Sequence, residues 1–258
     1  MTAQKLLNAG TSGTPLVLVH GVGDSLVSWS RVVAELEPNR PVLMYTLRGH
    51  ETDAENPPPP YVMADFVADL VGLLDEHGFS RAILAGFSLG GLIVQATALA
   101  HPDRVAALIP VGAVAGRSDE ERERVLQRYA EVAEHGPYEV AKISVDRWYT
   151  PEYLAEHPEA GARTLERMGA LDPDCYAAAY RVLATSDFAD DLHRLEMPVL
   201  AIAGEGDVGS PPHMSERIAA SVADGEVVVV PRVKHQLLQE TPDTIAKEID
   251  RFVRDKQV

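Results

Sequence analysis

Residues 81–91 read Arg-Ala-Ile-Leu-Ala-Gly-Phe-Ser-Leu-Gly-Gly, and no other stretch constrains this chain as much. An apolar run stops at Ser88, with Gly86 two residues before it and Gly90 two after. Leu92 to Ala100 continues apolar apart from Gln95 and Thr97. A buried strand, a sharp turn and a buried helix fit this pattern, with the serine at the apex. Such a turn presses backbone segments together, and glycine, lacking a Cβ, gives them room to pass. The turn is also strained, and strain kept under an exposed hydroxyl points to chemistry. The plainer alternative is a glycine-rich strand-to-helix turn carrying an idle serine, so other residues must supply partners for Ser88.

Apolar runs alternate with amphipathic stretches along the chain. Strands are predicted at Pro15–Val19, Pro41–Tyr45, Ala82–Ala85, Val105–Val111, Pro198–Ala203 and Glu226–Val230. Between them, Ser28–Leu36 places Trp29, Val32, Val33 and Leu36 on one helical face. Tyr61–His77 does the same with Phe66, Leu70, Leu73 and Leu74. Gly78 suits a left-handed helix stop. Asn56 and prolines 57–60 form a stiff loop. A helix around Met214–Val222 precedes the last strand, and Thr241 and Pro242 suit the N-cap and first position of a final helix. Strands that are apolar throughout, separated by helices, imply a parallel sheet covered on both faces. Residues 117–188 break the rhythm: they have helical periodicity and almost no strand-like run, with Val125, Tyr129 and Val132 on one face. The expected organisation is therefore an α/β core from 1–116 and 189–258 carrying a helical cap at 117–188.

Composition narrows the partners. A net charge of −16 repels nucleic acid and anionic membranes. No apolar run approaches the ~18 residues of a membrane helix. The N-terminus offers only Lys5 and the pair Leu6-Leu7, so no signal peptide is expected. The single cysteine, Cys175, has no internal disulfide partner, reads as a buried structural thiol and agrees with a reducing cytoplasm. The expected partner is a small molecule, and homo-oligomerisation stays open.

A serine hydroxyl needs a base, and the base an orienting carboxylate. In open parallel sheets these groups gather at the carboxyl ends of strands. Of nine histidines, His20, His50 and His235 follow strands. His235 follows the last one and precedes Leu237-Leu238, which makes it the best base candidate. His20 reads as a structural hydrogen-bonding residue. Asp207 ends Ala201-Ile-Ala-Gly-Glu-Gly-Asp one strand earlier, with Glu205 as its rival. Asp207 is preferred because Gly204 and Gly206 suggest a tight turn that re-aims the chain before it. An oxyanion would need fixed donors. The Leu89 N–H, at a helix start, is one, and the Val22 N–H in His20-Gly21-Val22-Gly23 is the other. Phe87, Leu89 and Val22 are expected to shape the pocket. No His/Cys spacing suggests a metal, and no cofactor is expected.

With these residues in place the chain resembles the α/β-hydrolase family over nearly its full length. His20-Gly21, Arg48-Gly49-His50, Gly86 to Gly91, Asp207 and His235 occur in that family's order. Within it, the chain is most similar to the 3-oxoadipate enol-lactonases. The segments that carry this likeness are Arg147-Trp148-Tyr149-Thr150-Pro151-Glu152, His157-Pro158-Glu159, Asp172 to Ala178 and Asp187-Phe188. The resemblance implies an acyl-serine route that opens a small lactone carrying a carboxylate. Three features depart from the pattern. Thr46 stands at a usual aspartate, Glu51 and Thr52 follow His50, and Arg232 stands at a usual glycine. The short N-terminus also suggests a vestigial first hairpin.

Arg147 could bind a substrate carboxylate through two parallel hydrogen bonds, and Trp148 could wall the acyl pocket. Equally, Trp148 could anchor the cap and Arg147 pair with surface acids. The expected activity is hydrolysis of a carboxylic ester or lactone, with a general carboxylesterase as the near alternative. A ligand-binding protein without turnover, on the same fold, is the alternative from a different class.

Overall fold

The computed structural model describes residues 3–52 and 54–258. Seven strands form one sheet: β1 (Gln4–Leu7), β2 (Leu16–Val19), β3 (Val42–Tyr45), β4 (Ala82–Phe87), β5 (Val105–Val111), β6 (Val199–Gly204) and β7 (Gly225–Val230). Their order is β1-β3-β2-β4-β5-β6-β7, and every neighbouring pair is parallel except β1 with β3. The strand order reverses on either side of β2. Loops leaving β2 and β4 therefore diverge and open a crevice at the carboxyl edge of the sheet.

Side chains alternate across the strands, so each strand feeds two cores. Val17, Val19, Leu84 and Ala201 face one layer, with Phe66 and Leu70 of α2 (Met63–Glu76) and Leu92 and Ile93 of α3 (Leu89–Ala100). Leu16, Leu18, Ile83 and Ile202 face the other, with Val32 of α1 (Ser30–Glu35) and Ile249 and Phe252 of the C-terminal helix, Pro242–Lys256. That last helix is held by packing. Ile245, Ile249, Phe252 and Val253 are all buried, and each buried side chain of this size contributes about 1.5–3 kcal/mol. The expected Thr241 side-chain cap is not formed. The Thr241 hydroxyl donates back to the Leu237 carbonyl instead, because a short helical turn, Leu237–Glu240, precedes it.

In place of the hairpin expected to be vestigial, the described N-terminal residues supply a single strand, Gln4–Leu7, which pairs across four positions with β3. Two bonds fasten it: the Thr46 backbone N–H donates to the Ala3 carbonyl, and the side chain of Glu51, one of the departures noted in the sequence, accepts the Ala3 N–H at 2.6 Å. Strand β7 is not covered on both faces. Val228 and Val230 pack inward, while Val227 and Val229 are exposed, as befits an edge strand.

Between β5 and β6 lie five helices: α4 (Asp119–Lys142), α5 (Val145–Trp148), α6 (Pro151–Glu156), α7 (Glu159–Ala170) and α8 (Pro173–Thr185). A reciprocal Ser118–Glu121 capping box starts α4, and Gly136 at φ 78°, ahead of Pro137, breaks it into two segments. Val132, Val140, Met168, Leu171 and Tyr176 make a small core of their own among these helices. The two ends of this insertion are tied together. Asp187 accepts the N–H groups of Gly116 and Arg117, and the Arg117 guanidinium donates to the Ser186 and Leu183 carbonyls. Among the described residues, no helix is long and apolar enough to cross a membrane.

The β4–α3 junction shows why its glycines are glycines. A Cβ on Gly86 would overlap the Gly90 carbonyl oxygen, and a Cβ on Gly90 would overlap the Val19 carbonyl oxygen. Both obstacles are backbone, so no rotamer change relieves them. Gly90→Ala is therefore expected to lose about 3 kcal/mol or more and roughly 6–12 °C in Tm. A thermal melt of Gly90→Ala overlaying that of the wild type would refute this packing.

Candidate active site

Ser88 sits between β4 and α3 at φ 53°, ψ −113°, a conformation that residues other than glycine rarely adopt. Its N–H donates to the Val111 carbonyl at 2.9 Å, which pins the turn to β5. The Ser88 side chain opens on a cavity of about 370 Å³ that His235, Asp207, Val22, Phe87, Arg147 and Trp148 also line. The sequence-predicted residues therefore converge, with one exception. The Leu89 side chain lies in the sheet core and does not line the cavity. As the first residue of α3, Leu89 keeps its N–H at the open helix end while its side chain packs into the core.

Asp207 and His235 come from adjacent strand ends. Asp207 Oδ2 lies 2.6 Å from His235 Nδ1. The other carboxylate oxygen, Oδ1, accepts the N–H groups of Gly209 and Ser210, so the fully buried group is held on both sides. A turn does precede it, closed by the Asp207 N–H on the Gly204 carbonyl. Gly204 has a second reason to be glycine, because a Cβ there would overlap the Lys234 carbonyl of the His235 loop. Glu205 points elsewhere and accepts the Arg232 N–H, helping to hold Arg232 at φ 58°, the left-handed geometry for which glycine is the usual residue. Burial works against charging His235, but the charge and hydrogen bond of Asp207 outweigh it, and the imidazole ends above its ordinary value. The Phe87 ring lies 4.9 Å from the imidazole, centre to centre.

His20 and His50 are a matched pair. The Leu47 N–H donates to His20 Nε2 and the Gly23 N–H donates to His50 Nε2, each at 2.9 Å. The other nitrogen of each ring, Nδ1, faces a carbonyl oxygen, Gly21 for His20 and Arg48 for His50. Both rings are therefore neutral, with the proton on Nδ1. Burial, the dominant cause, holds both pKa values down to about 3. They lock the loops after β2 and β3 to each other beside Ser88. Arg48 anchors the second loop by two bonds to Asp69 of α2.

The cavity also gathers groups that the sequence reading passed over. Arg117, Arg124, Arg128 and Arg167 line it, as do Asp24, Tyr176 and Tyr180. The arginines sit at or within helices whose polar residues look solvated in sequence; only the fold shows which turn faces the cavity. Asp24 pairs with Arg167 at 3.5 Å and Glu131 with Arg128 at 3.0 Å. Among the described residues, Arg124 and Arg147 form no ion pair, and Arg147 opposes protonation of His235. Arg147 is exposed at the rim and Trp148 half-buried, its carbonyl accepting the Gln236 N–H beside His235. No group of three or more His, Cys, Asp or Glu side chains among the described residues is arranged to hold a metal ion.

The neutral pair sets an acid limit on stability. Below pH 6.5 the unfolded chain protonates these histidines, while the folded chain resists until about pH 3. Stability therefore falls as pH falls through that window, by about 1.4 kcal/mol per pH unit for each ring. In urea titrations between pH 7 and 4.5, the stability gap between wild type and His50→Gln is expected to narrow toward acid at up to that slope. A gap independent of pH would contradict the neutral assignment.

Comparison with known proteins places this geometry. The sequence profile of the Alpha/beta hydrolase family matches residues 16–248. 3-Oxoadipate enol-lactonase 2 of Acinetobacter baylyi is 29% identical over 212 residues, spanning 80% of this chain and 78% of that protein. The crystal structure of the enol-lactonase from Burkholderia xenovorans superposes with a TM-score of 0.90 at 25% identity, covering 98% of this chain and 96% of that one. A thermophilic esterase from Thermogutta terrifontis, solved with malate bound, superposes at 0.88 and 27% identity, covering 100% and 94%. With a seven-stranded, mostly parallel sheet under helices and a family match across most of its length, this chain belongs to the alpha/beta hydrolase family.

Proposed function

We propose that this chain hydrolyses a carboxylic ester or lactone of a small molecule through an acyl-serine intermediate. The observation that carries the reading is the 2.6 Å contact between a buried carboxylate and His235 in the cavity that also holds the Ser88 side chain. In this reading Ser88 attacks the acyl carbon while His235 Nε2 takes its proton. Asp207 keeps the Nδ1 proton in place and stabilises the imidazolium. The N–H groups of Val22 and Leu89 receive the developing oxyanion; among the described residues neither donates to a protein acceptor. The imidazolium gives the Ser88 proton to the leaving oxygen as the acyl C–O bond breaks, and water deprotonated by the again neutral His235 then hydrolyses the acyl-serine, releasing the acid and restoring the Ser88 hydroxyl. Residues 117–188 act as the cap, and the core is 1–116 with 189–258.

The substrate class follows from charge. Among the described residues Arg147 and Arg124 line the cavity without an ion pair, and with Arg117, Arg128 and Arg167 they outnumber the acids there, Asp24, Glu121, Glu131 and Asp207, in a chain of net charge −16. A carboxylate-bearing substrate fits that local field, with Phe87 and Trp148 as apolar walls. The enol-lactonase relatives support a lactone. The esterase neighbour supports an acyclic ester as the second reading.

Ser88→Ala is expected to abolish ester and lactone hydrolysis without loss of fold, and undiminished turnover by clean mutant protein would end the proposal. In the wild type, kcat/KM is expected to rise through a pKa above 6.5, because the base must be neutral and Asp207 holds its pKa up. Asp207→Asn should move that limb to lower pH while cutting kcat by about 10⁴-fold. A pH–rate profile with an unmoved limb would show that another group titrates. Arg147→Ala should raise KM for anionic esters by about 10-fold and leave neutral esters within about 2-fold. Equal losses on both would remove Arg147 from substrate binding.

A further inference from the structure

We propose that Arg167, on cap helix α7, is a positioning residue that aims the Val22 N–H at the reacting carbonyl oxygen. This rests on the Ser88 reading above and adds to it a physical link from cap to oxyanion donor.

The link runs through three consecutive peptide planes. Arg167 Nε donates to the Gly23 carbonyl at 2.8 Å, and Asp24, its side chain only 7% exposed, steers the guanidinium from 3.5 Å. The Gly23 carbonyl and the Asp24 N–H belong to one rigid peptide unit, so fixing one fixes the other. That Asp24 N–H donates to the Gly21 carbonyl at 3.2 Å. The Gly21 carbonyl and the Val22 N–H again share a planar unit and point in opposite directions, because the peptide is trans. Holding the Gly21 oxygen away from the cavity therefore turns the Val22 N–H toward it. Between these two units, the Gly23 N–H is held by His50.

Gly23 is the place where this chain of bonds could slip. It stands at φ 74°, and its conformational freedom would let the loop rotate if unrestrained. A Cβ there would overlap Met168, the residue after Arg167, so α7 packs directly on this backbone. His50 and His20 restrain the loop from the core side. Arg167 is the restraint from the cap side, and it ties oxyanion geometry to the seating of α7.

The test measures hydrolysis of neutral 4-nitrophenyl acetate and anionic 4-nitrophenyl hemisuccinate by wild type, Arg167→Met, Arg167→Lys and Asp24→Asn, each checked for fold by thermal melting. Inhibition by phenylboronic acid, which forms a tetrahedral serine adduct, is measured alongside. In Arg167→Met, kcat is expected to fall about 10- to 100-fold on both esters, less than the 10²–10³ of deleting a donor outright. KM for the neutral ester should stay within about 2-fold, and boronate inhibition should weaken in step with kcat. Arg167→Lys, whose Nζ lies one bond beyond the position of the arginine Nε and can still donate to the Gly23 carbonyl, should recover most of the loss. Asp24→Asn should lie between, and it carries the test if Arg167→Met does not fold. Unchanged kcat in folded Arg167→Met, or in Asp24→Asn where Arg167→Met does not fold, would overturn the proposal, and so would a loss confined to KM for the hemisuccinate, which would make Arg167 a substrate contact. Ser88→Ala is run in the same assays: its full activity would instead discard the underlying serine mechanism.

Discussion

The structure depends on one close approach between backbones. Helix α3 starts so near the ends of β2 and β4 that side chains at residues 86 and 90 would overlap carbonyl oxygens. With glycine at both positions, the strand can turn into the helix within one residue. Ser88 is that residue, and its φ of 53° is the geometric consequence. A non-glycine backbone in such a region costs about 1–3 kcal/mol. The buried hydrogen bond from the Ser88 N–H to Val111 and the apolar packing of α3 on both sheet neighbours offset that cost. The same turn leaves the first amides of α3 without helical partners, next to the loop after β2.

Much of this was legible in residues 81–91 because the strand, turn and helix signals there are local. That Ser88, Asp207 and His235 meet at one cavity was legible because each ends or follows a strand, and parallel strands carry the loops at their carboxyl ends to one edge. The roles of Gly204 and Gly23 were not legible. Gly204 is glycine because the Lys234 carbonyl passes close by, and Gly23 because its φ is 74° and Met168 packs on it; those neighbours are about 30 and 145 positions away along the chain. The strand Gln4–Leu7 was missed for a related reason. Four residues with one exposed lysine carry too little periodicity, and their pairing is supplied by β3, Thr46 and Glu51.

The cap shows the limit of periodicity more sharply. Arg117, Arg124, Arg128 and Arg167 sit at or within helices whose charged residues read as a solvated face. Which of them turns inward depends on how α4, α7 and α8 pack, and that packing rests on a small cluster around Met168 and Tyr176. The kink at Gly136 also rotates the second half of α4 relative to the first, so a face assigned from residues 125–132 does not continue past it. Charge therefore reaches the cavity from side chains that look ordinary one helix at a time.

Three histidines follow strands here, and the chemistry is sorted by what each ring's Nδ1 meets. His20 and His50 meet carbonyl oxygens, which hold the Nδ1 proton but bring no charge to repay burial of an imidazolium. Both are driven neutral, and their Nε2 atoms are spent on backbone N–H groups. Neither can take a proton from Ser88 without breaking the loop it supports. His235 meets a carboxylate instead. Its Nε2 makes no bond within the protein among the described residues, and a positive ring there is compensated by Asp207. The same residue type thus supplies two rigid acceptors and one titrating group. A base built from His20 or His50 would have required a carboxylate where the Gly21 or Arg48 carbonyl stands.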